Sequence, residues 1–281
     1  MIVRNQHDVT SDALAAMERT ADPRAREILV SLVKHLHEFI REVRLTEDGF
    51  RQATAFLNQM GRLSTDTHNE TVLMAGSLGV SSLVCLLNNG GNGNSETSQS
   101  LLGPFWRLNS PRVANGGTIV RSDTPGDPLF VTGRVVDMAG KPVHGAEVDI
   151  WHASPFGLYE NQDPEQAEMN LRGKFTSDDD GRFWFRTVKM TGYPIPTDGV
   201  VGRLLQAQNR DPYRPAHLHA LIVKEGFKVL ISQVYDPEDP NIDRDPQFGV
   251  TKALLGDYLR HEDRHPSDAA IRPPWHSLDY T

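Results

Sequence analysis

Residues 213–219 read Tyr-Arg-Pro-Ala-His-Leu-His. In an extended chain, residues two apart project to the same face, so His217 and His219 would bring two imidazoles close enough to share a metal. That pair alone is also compatible with two packed or surface histidines. Two tyrosines stand in unusual contexts, Gly157-Leu158-Tyr159-Glu160-Asn161 and Thr191-Gly192-Tyr193-Pro194-Ile195-Pro196, where the chain leaves regular strand. A glycine ahead of each lets the backbone turn and aim the ring inward. Taken singly, each tyrosine reads more readily as a half-buried aromatic. Cys85 is the single cysteine, so further metal donors would be oxygen or imidazole.

A free phenol has a pKa of about 10 and stays protonated at neutral pH. A strongly charged cation stabilises the phenolate, as metals do for bound water. Phenolate is a hard, anionic donor that favours the ferric ion over softer or divalent metals. Two phenolates and one hydroxide balance a charge of three. A set of Tyr159, Tyr193, His217 and His219 therefore suits iron(III) better than zinc.

The elements that would carry these residues fall into two textures. The first third is helical. Asp22 can cap a helix with Pro23 at its first position, and Leu32, Leu36, Phe39, Ile40 and Val43 recur at helical spacing. Thr46, followed by Glu47 and Asp48, can cap a second helix striped by Phe50, Ala53, Phe56, Leu57 and Met60. A third apolar segment runs from about Val72 to Leu87, and the short loops predict antiparallel neighbours. The glycine-rich stretch from Gly90 is the best linker; it follows no strand, which argues against a phosphate-binding loop. From Pro128 the texture becomes short alternating strands: around Val131 to Val135, around Val148 and Ile150, a hairpin at Asp180-Gly181 leading to Phe183 and Phe185, then 216–223 and 227–235. A β-sandwich is the expected fold there, with a short helix over Thr251 to Leu259.

The 281 residues carry a net charge of -8, which disfavours nucleic acid or an anionic membrane as partner. No stretch approaches the ~18 apolar residues of a membrane span. The first ten residues lack the apolar run of a signal peptide, so a cytoplasmic protein is expected.

The order Tyr159, Gly192-Tyr193-Pro194-Ile195-Pro196, Tyr213-Arg214-Pro215-Ala216-His217-Leu218-His219 resembles the intradiol ring-cleavage dioxygenases, which open catechols between the two hydroxyl-bearing carbons. The likeness runs from roughly Leu78 to Tyr258. It includes Leu102-Gly103-Pro104-Phe105, the strand Pro142 to Trp151 and the Arg214-x-x-His217 spacing. It implies an α+β chain: a helical linker and dimerisation domain over 1–100 and an all-β sandwich catalytic domain over 101–281. It implies non-haem Fe(III) with Tyr193 and His219 axial and Tyr159 and His217 equatorial. Tyr193 would also take one substrate proton, Arg214 would stabilise charge developing on the ring, and Gln233 would be a second polar residue at the substrate. The strand supports this: a three-residue loop centred on Gly226 puts Gln233 beside His219 on one face. Leu78, Gly103, Pro104, Phe105 and Phe248 would line the substrate pocket. A homodimer through the N-terminal helices, with phospholipid at the interface, belongs to the same implication.

Within the family, Leu78-Gly79-Val80-Ser81, Asn88-Asn89 and Phe248-Gly249-Val250 resemble the hydroxyquinol (benzene-1,2,4-triol) branch, with catechol or chlorocatechol as alternative substrates. Ser77 departs from the acidic residue expected to receive the extra hydroxyl. The Gly90–Asn94 insertion and Trp106-Arg107 depart as well. Rival readings explain less. His261-Glu262-Asp263-Arg264-His265 matches a zinc-protease pattern but is followed at once by Pro266. A cupin-type site using Glu225 leaves both tyrosines unexplained. Asp178 to Asp180 reads as a hairpin turn rather than a calcium loop. A non-catalytic sandwich module that only binds would need no metal and would be colourless.

Overall fold

The computed structural model describes residues 2–65, 69–89 and 97–281. The Gly90–Asn94 insertion lies outside the described residues. The chain divides into two compact units, Met1–Gln59 and Met60–Thr281.

In the first unit, α1 (Gln6–Met17) was not foreseen; Asn5 caps it by accepting from the His7 and Asp8 amides. The helix α2 (Pro23–Glu42) begins as expected, with the Asp22 side chain accepting from Ala25 N. It is α1 that packs along α2, where Thr10 Oγ1 meets His37 Nδ1 and accepts from Arg41 Nη1, both at 2.9 Å. The helix α3 (Glu47–Leu63) starts where Thr46 Oγ1 accepts from Gly49 N.

The second unit opens with a correction. The apolar run expected as one helix is two, α4 (Glu70–Ser77) and α5 (Val80–Asn88), bent by 77°. Gly79 sits between them at φ 73°, a left-handed conformation that ends one helix and starts the next. Among the described residues no single helix is long and apolar enough to cross a membrane; the bent α4–α5 pair meets that test by length and composition only.

The sandwich follows. One sheet orders β4 (Arg182–Val188), β1 (Pro128–Arg134), β10 (Trp275–Tyr280) and β9 (Asp257–His261). The other orders β3 (Arg172–Thr176), β2 (Glu147–Trp151), β7 (His217–Val223) and β8 (Leu230–Tyr235). Their inner faces close on Leu129, Val131, Phe183, Phe185 and Leu278 from one side and Val148, Ile150, Phe175, Leu218, Ala220 and Val234 from the other. These alternate along each strand, so the odd-numbered residues of β2, β7 and β8 point away from this core. A two-residue pair, β5 (Tyr193–Pro194) with β6 (Tyr213–Arg214), and the helix α6 (Val200–Ala207) fill the stretch before β7.

The helix expected over Thr251 to Leu259 is absent. A 3-10 turn covers Lys252–Leu254, and the chain then runs as β9, with Tyr258 buried between exposed Asp257 and Leu259. That period of two suits the edge position beside β10, and Gly256 is pressed against Leu278 and Val234, where a side chain would collide. The protease-like His261 to His265 stretch therefore begins on a strand end and forms no helix. The Asp178 carboxylate accepts from the Asp180 and Arg182 amides, which makes that acidic run a turn, but it is not the hairpin expected: β3 and β4 on either side belong to different sheets, so the turn carries the chain across the sandwich.

Candidate metal and substrate site

The β7–β8 register sets His219 opposite Gln233 and His217 opposite Tyr235, centred on Gly226 as expected, but the loop is longer than three residues: the last pair is Ile222 with Leu230, and β8 begins at Leu230 rather than Phe227. On the other side His219 faces Trp151, and Trp151 faces Arg172. A single cross-strand row, Arg172, Trp151, His219, Gln233, thus spans the sheet on the face away from the sandwich core. Trp151 stacks on the His219 imidazole, with centroids 4.7 Å apart and planes 8° apart, which fixes the ring and excludes water from one side. Such a stack contributes about 0.5–1.5 kcal/mol beyond burial.

Tyr193 enters from β5, directly paired with Arg214 on β6. Its preceding glycine is needed for space rather than for an unusual φ: a Cβ on Gly192 would lie 2.5 Å from the Arg214 carbonyl oxygen. Tyr159 arrives from the loop after β2. There Gly157 does take the left-handed region at φ 76°, and a Cβ on it would lie 3.0 Å from Tyr193 Cβ. The two glycines do different work: Gly192 lets the Tyr193 strand close on β6, and Gly157 lets the Tyr159 loop close on Tyr193.

The four foreseen donor residues converge. Tyr159 Oη lies 3.1 Å from Tyr193 Oη, Tyr193 Oη lies 3.3 Å from His217 Nε2, and the two Nε2 atoms are 3.2 Å apart. All four side chains are buried. The Pro215 carbonyl accepts from His217 Nδ1 at 2.8 Å, so that nitrogen carries the hydrogen and Nε2 presents a bare lone pair to the cluster. His219 Nδ1 is buried without a hydrogen-bond partner among the described residues. Lone pairs outnumber the protons available between them, an arrangement that a cation satisfies.

Electrostatics point the same way. Burial, then the Arg214 charge, pushes His217 down to about 3. Burial and then His217 push His219 well below its ordinary value. Both imidazoles are neutral, the state that ligates metals. Burial raises both phenols, Tyr159 further through Tyr193, while Arg214 pulls the other way on each. They stay protonated until a strong cation arrives. Among the described residues no group of three or more His, Cys, Asp or Glu could hold a metal, so the phenols are necessary members of any site here. Two hard anionic oxygens with two imidazoles fit a ferric ion.

Beside the cluster, Arg214 Nη1 lies 3.3 Å from His217 Nε2, and Nη2 donates to Gln233 Oε1 at 2.8 Å and Tyr235 Oη at 2.7 Å. Gln233 Nε2 donates to the Leu101 carbonyl at 2.7 Å, tying β8 to the segment that carries Gly103, Pro104 and Phe105. Phe105 stacks on Tyr159 with centroids 4.4 Å apart. A Cβ on Gly103 would come within 3.3 Å of His219 Cε1. Pro104 is exposed. Leu78 and Phe248 stand half exposed, at 52% and 51%. The Phe248 ring lies against Gly79 and under the Arg210 guanidinium, 4.6 Å from the ring centre. Ser77 is buried and accepts from Gln247 Nε2 at 2.9 Å, so its hydroxyl braces the loop that carries Phe248.

Sequence reasoning missed several residues. Tyr235 could have been found, since it lies two beyond Gln233 on the same strand face. Trp151 could not, because nothing local reveals which strand pairs with β7. Asp245, which pairs with Arg214 Nε at 3.1 Å, comes from a loop. Glu160 accepts from the buried Arg172 Nε at 2.7 Å and from Arg107 Nη1 at 2.9 Å, and Trp106 Nε1 donates to Asp149 at 3.3 Å. The Trp106-Arg107 pair thus seals the segment behind Tyr159. His152 is buried between the Ala153 carbonyl and Thr187 Oγ1.

Comparisons with known proteins bear on this arrangement. A family model described as "Dioxygenase" matches residues 102–273, and one described as "Catechol dioxygenase N terminus" matches 22–95. A hydroxyquinol 1,2-dioxygenase of Rhizobium sp. (strain MTP-10005) is 42% identical over 252 residues, 89% of this chain and 84% of that protein. A catechol 1,2-dioxygenase of Candida albicans is 38% identical over 88% of this chain and 82% of its own length. The solved structure of hydroxyquinol 1,2-dioxygenase from Pseudomonas putida DLL-E4 superposes with a TM-score of 0.89 at 36% identity, covering 98% of this chain and 96% of that one.

Proposed function

The chain belongs to the intradiol ring-cleavage dioxygenases, and from that premise we propose that it opens hydroxyquinol between its adjacent hydroxyl-bearing carbons. One O2 is consumed, and the product is hydroxymuconate or its tautomer maleylacetate. The observation that carries this reading is the convergence of Tyr159, Tyr193, His217 and His219 beside the Arg214 guanidinium. The hydroxyquinol enzymes among its relatives support the triol over catechol.

Tyr159, Tyr193, His217 and His219 would hold one non-haem Fe(III), which supplies a Lewis acid for the diol and a path for electrons between the ring and O2. The protein's own groups do the rest. Tyr193 Oη accepts the proton of one substrate hydroxyl. Arg214, held charged because the Asp245, Tyr235 and Tyr193 interactions outweigh the cost of burial, stabilises negative charge developing on the ring. Gln233 holds Arg214 and the Leu101 carbonyl in one place. Trp151 and Phe105 pack on His219 and Tyr159 and keep water out. Gly103, Pro104, Phe105, Leu78 and Phe248 form the pocket wall, with Gly103 leaving room next to His219.

The functional division falls near residue 100, between the helical region and the sandwich. The chain works as a homodimer in the cytoplasm, joined through its N-terminal helices. The apolar stripe Ile28, Leu32, Leu36 and Phe39 on α2, continued by its C-cap Val43, supports this, because every member is exposed in the single chain. Phospholipid would occupy the same apolar surface.

The test is oxygen uptake by iron-loaded protein with hydroxyquinol and with catechol, with mass identification of the product. The expected result is a ring-opened acid carrying both oxygen atoms of O2, and a kcat/KM for hydroxyquinol at least about tenfold that for catechol. A catechol preference would move the chain to the catechol branch. Extradiol or unopened products would refute the reaction.

A further inference from the structure

Arginine presents five N–H donors in a rigid planar fork, and here each edge has a defined destination. Arg214 Nε donates to Asp245 Oδ1 at 3.1 Å and Nη2 donates to Asp245 Oδ2 at 3.2 Å. Gln233 and Tyr235 take further hydrogen bonds from Nη2 alone. A contact at one nitrogen leaves the guanidinium free to swing about it, whereas a grip on two nitrogens fixes the plane. Nη1 is then the edge turned to the donor cluster, 3.3 Å from His217 Nε2.

Asp245 is itself held rigidly. Its Oδ1 accepts from Gln247 N at 3.1 Å and its Oδ2 from Gly249 N at 2.9 Å. The loop closes on the guanidinium so tightly that a Cβ on Gly249 would lie 3.0 Å from Arg214 Nη2 and 2.5 Å from Tyr235 Oη. Asp245 and Arg214 are both buried, so the pair is shielded from solvent and its geometry is not averaged by water.

We infer that Asp245 is the positioning residue for Arg214, occupying the Nε–Nη2 edge so that the Nη1 edge faces the substrate ring. The inference rests on the role proposed above for Arg214. Because the same carboxylate folds the 245–249 loop through two backbone amides, it also joins the arginine's orientation to the pocket-wall residue Phe248.

The test is a double-mutant cycle on iron-loaded enzyme, read as turnover per bound iron. Asp245→Asn keeps the shape but turns an amide N–H toward an arginine N–H. We expect kcat to fall about 10- to 100-fold with KM changed less than about threefold, since the lost interaction is made in the transition state. The visible absorption band should be unchanged, since the four proposed ligands remain. In an Arg214→Ala background the same change should cost less than about threefold, because Asp245 acts through the missing group. Equal losses in both backgrounds, or a single variant within about threefold of the parent, would overturn the inference. If Asp245→Asn does not yield folded, iron-loaded protein, chemical rescue decides. Millimolar guanidinium should accelerate Arg214→Ala and methylammonium should not, and no difference between the two overturns the inference. A parent inactive on both diols would sink the functional reading itself; an active parent indifferent to Asp245 would sink only this assignment.

Discussion

At the scale of single residues, the site is a balance of protonation states. Two imidazoles are kept neutral and two phenols are kept protonated by the same burial, and a trivalent cation held as proposed would ionise the phenols and leave the imidazoles neutral. Tyr193→Phe should retain part of the iron, shift or abolish the phenolate charge-transfer band, and lower kcat by at least about 10²-fold, since a ligand and a base are lost together. An unchanged spectrum would remove Tyr193 from the cluster. Burial also drives His152 from 6.5 down to about 4, against the opposing hydrogen bond to the Ala153 carbonyl. Its neutral form belongs to the fold, while the unfolded chain takes up a proton below its ordinary value. The stability it contributes is therefore fully present above about pH 6.5 and drains as pH falls toward 4, by roughly 3 kcal/mol. Urea midpoints measured from pH 7.5 down to 4.5 should fall less steeply for His152→Gln than for the parent; identical slopes would contradict the assignment. The four donor residues and Arg214 were legible in the sequence only as a set, through the order of motifs that resembles the family, because each residue taken singly has an ordinary structural reading. Asp245 was not, since one aspartate among several in a polar loop gives no local sign of the buried guanidinium it grips.

At the scale of elements, the strands deliver the donors by parity and register, and the β5–β6 pair delivers Tyr193 and Arg214 as neighbours. Gly192→Ala should cost about 2 kcal/mol or more, because the clash is with a backbone carbonyl that cannot turn aside. It should also reduce iron occupancy, since Tyr193 moves with the strand. Thermal unfolding and metal content of the purified variant check both; a variant with parental melting and full iron would show that the pair tolerates displacement. Alternation made β1, β2, β4, β7 and β8 readable, and a glycine-centred loop made the His219–Gln233 register readable. The miss over 251–259 has a physical cause. Its apolar residues suit either period over so short a run, and the choice is made by β10, a strand that arrives about twenty residues later. The 70–88 region failed differently: its apolar content reads as continuous helix, and the break rests on Gly79 taking a left-handed φ.

At the scale of the whole molecule, the sandwich carries the proposed site on one outer sheet face. A cavity of about 610 Å³ opens between the sheets, lined by residues such as Val131, Phe183, Ile222 and Tyr280, and includes none of the proposed site residues. Leu36→Glu with Phe39→Glu on α2 should convert a dimer to a monomer in analytical ultracentrifugation while turnover per iron stays within about twofold, because a charge on an apolar interface costs several kcal/mol. A parent that sediments as a monomer would contradict the dimer. The decisive measurement is the visible spectrum of protein loaded with one iron per chain, recorded as hydroxyquinol is added without oxygen. A red to burgundy protein is expected, with a band that shifts as the diol binds. A colourless protein at full iron content, or a band indifferent to the diol, would contradict the proposed iron site.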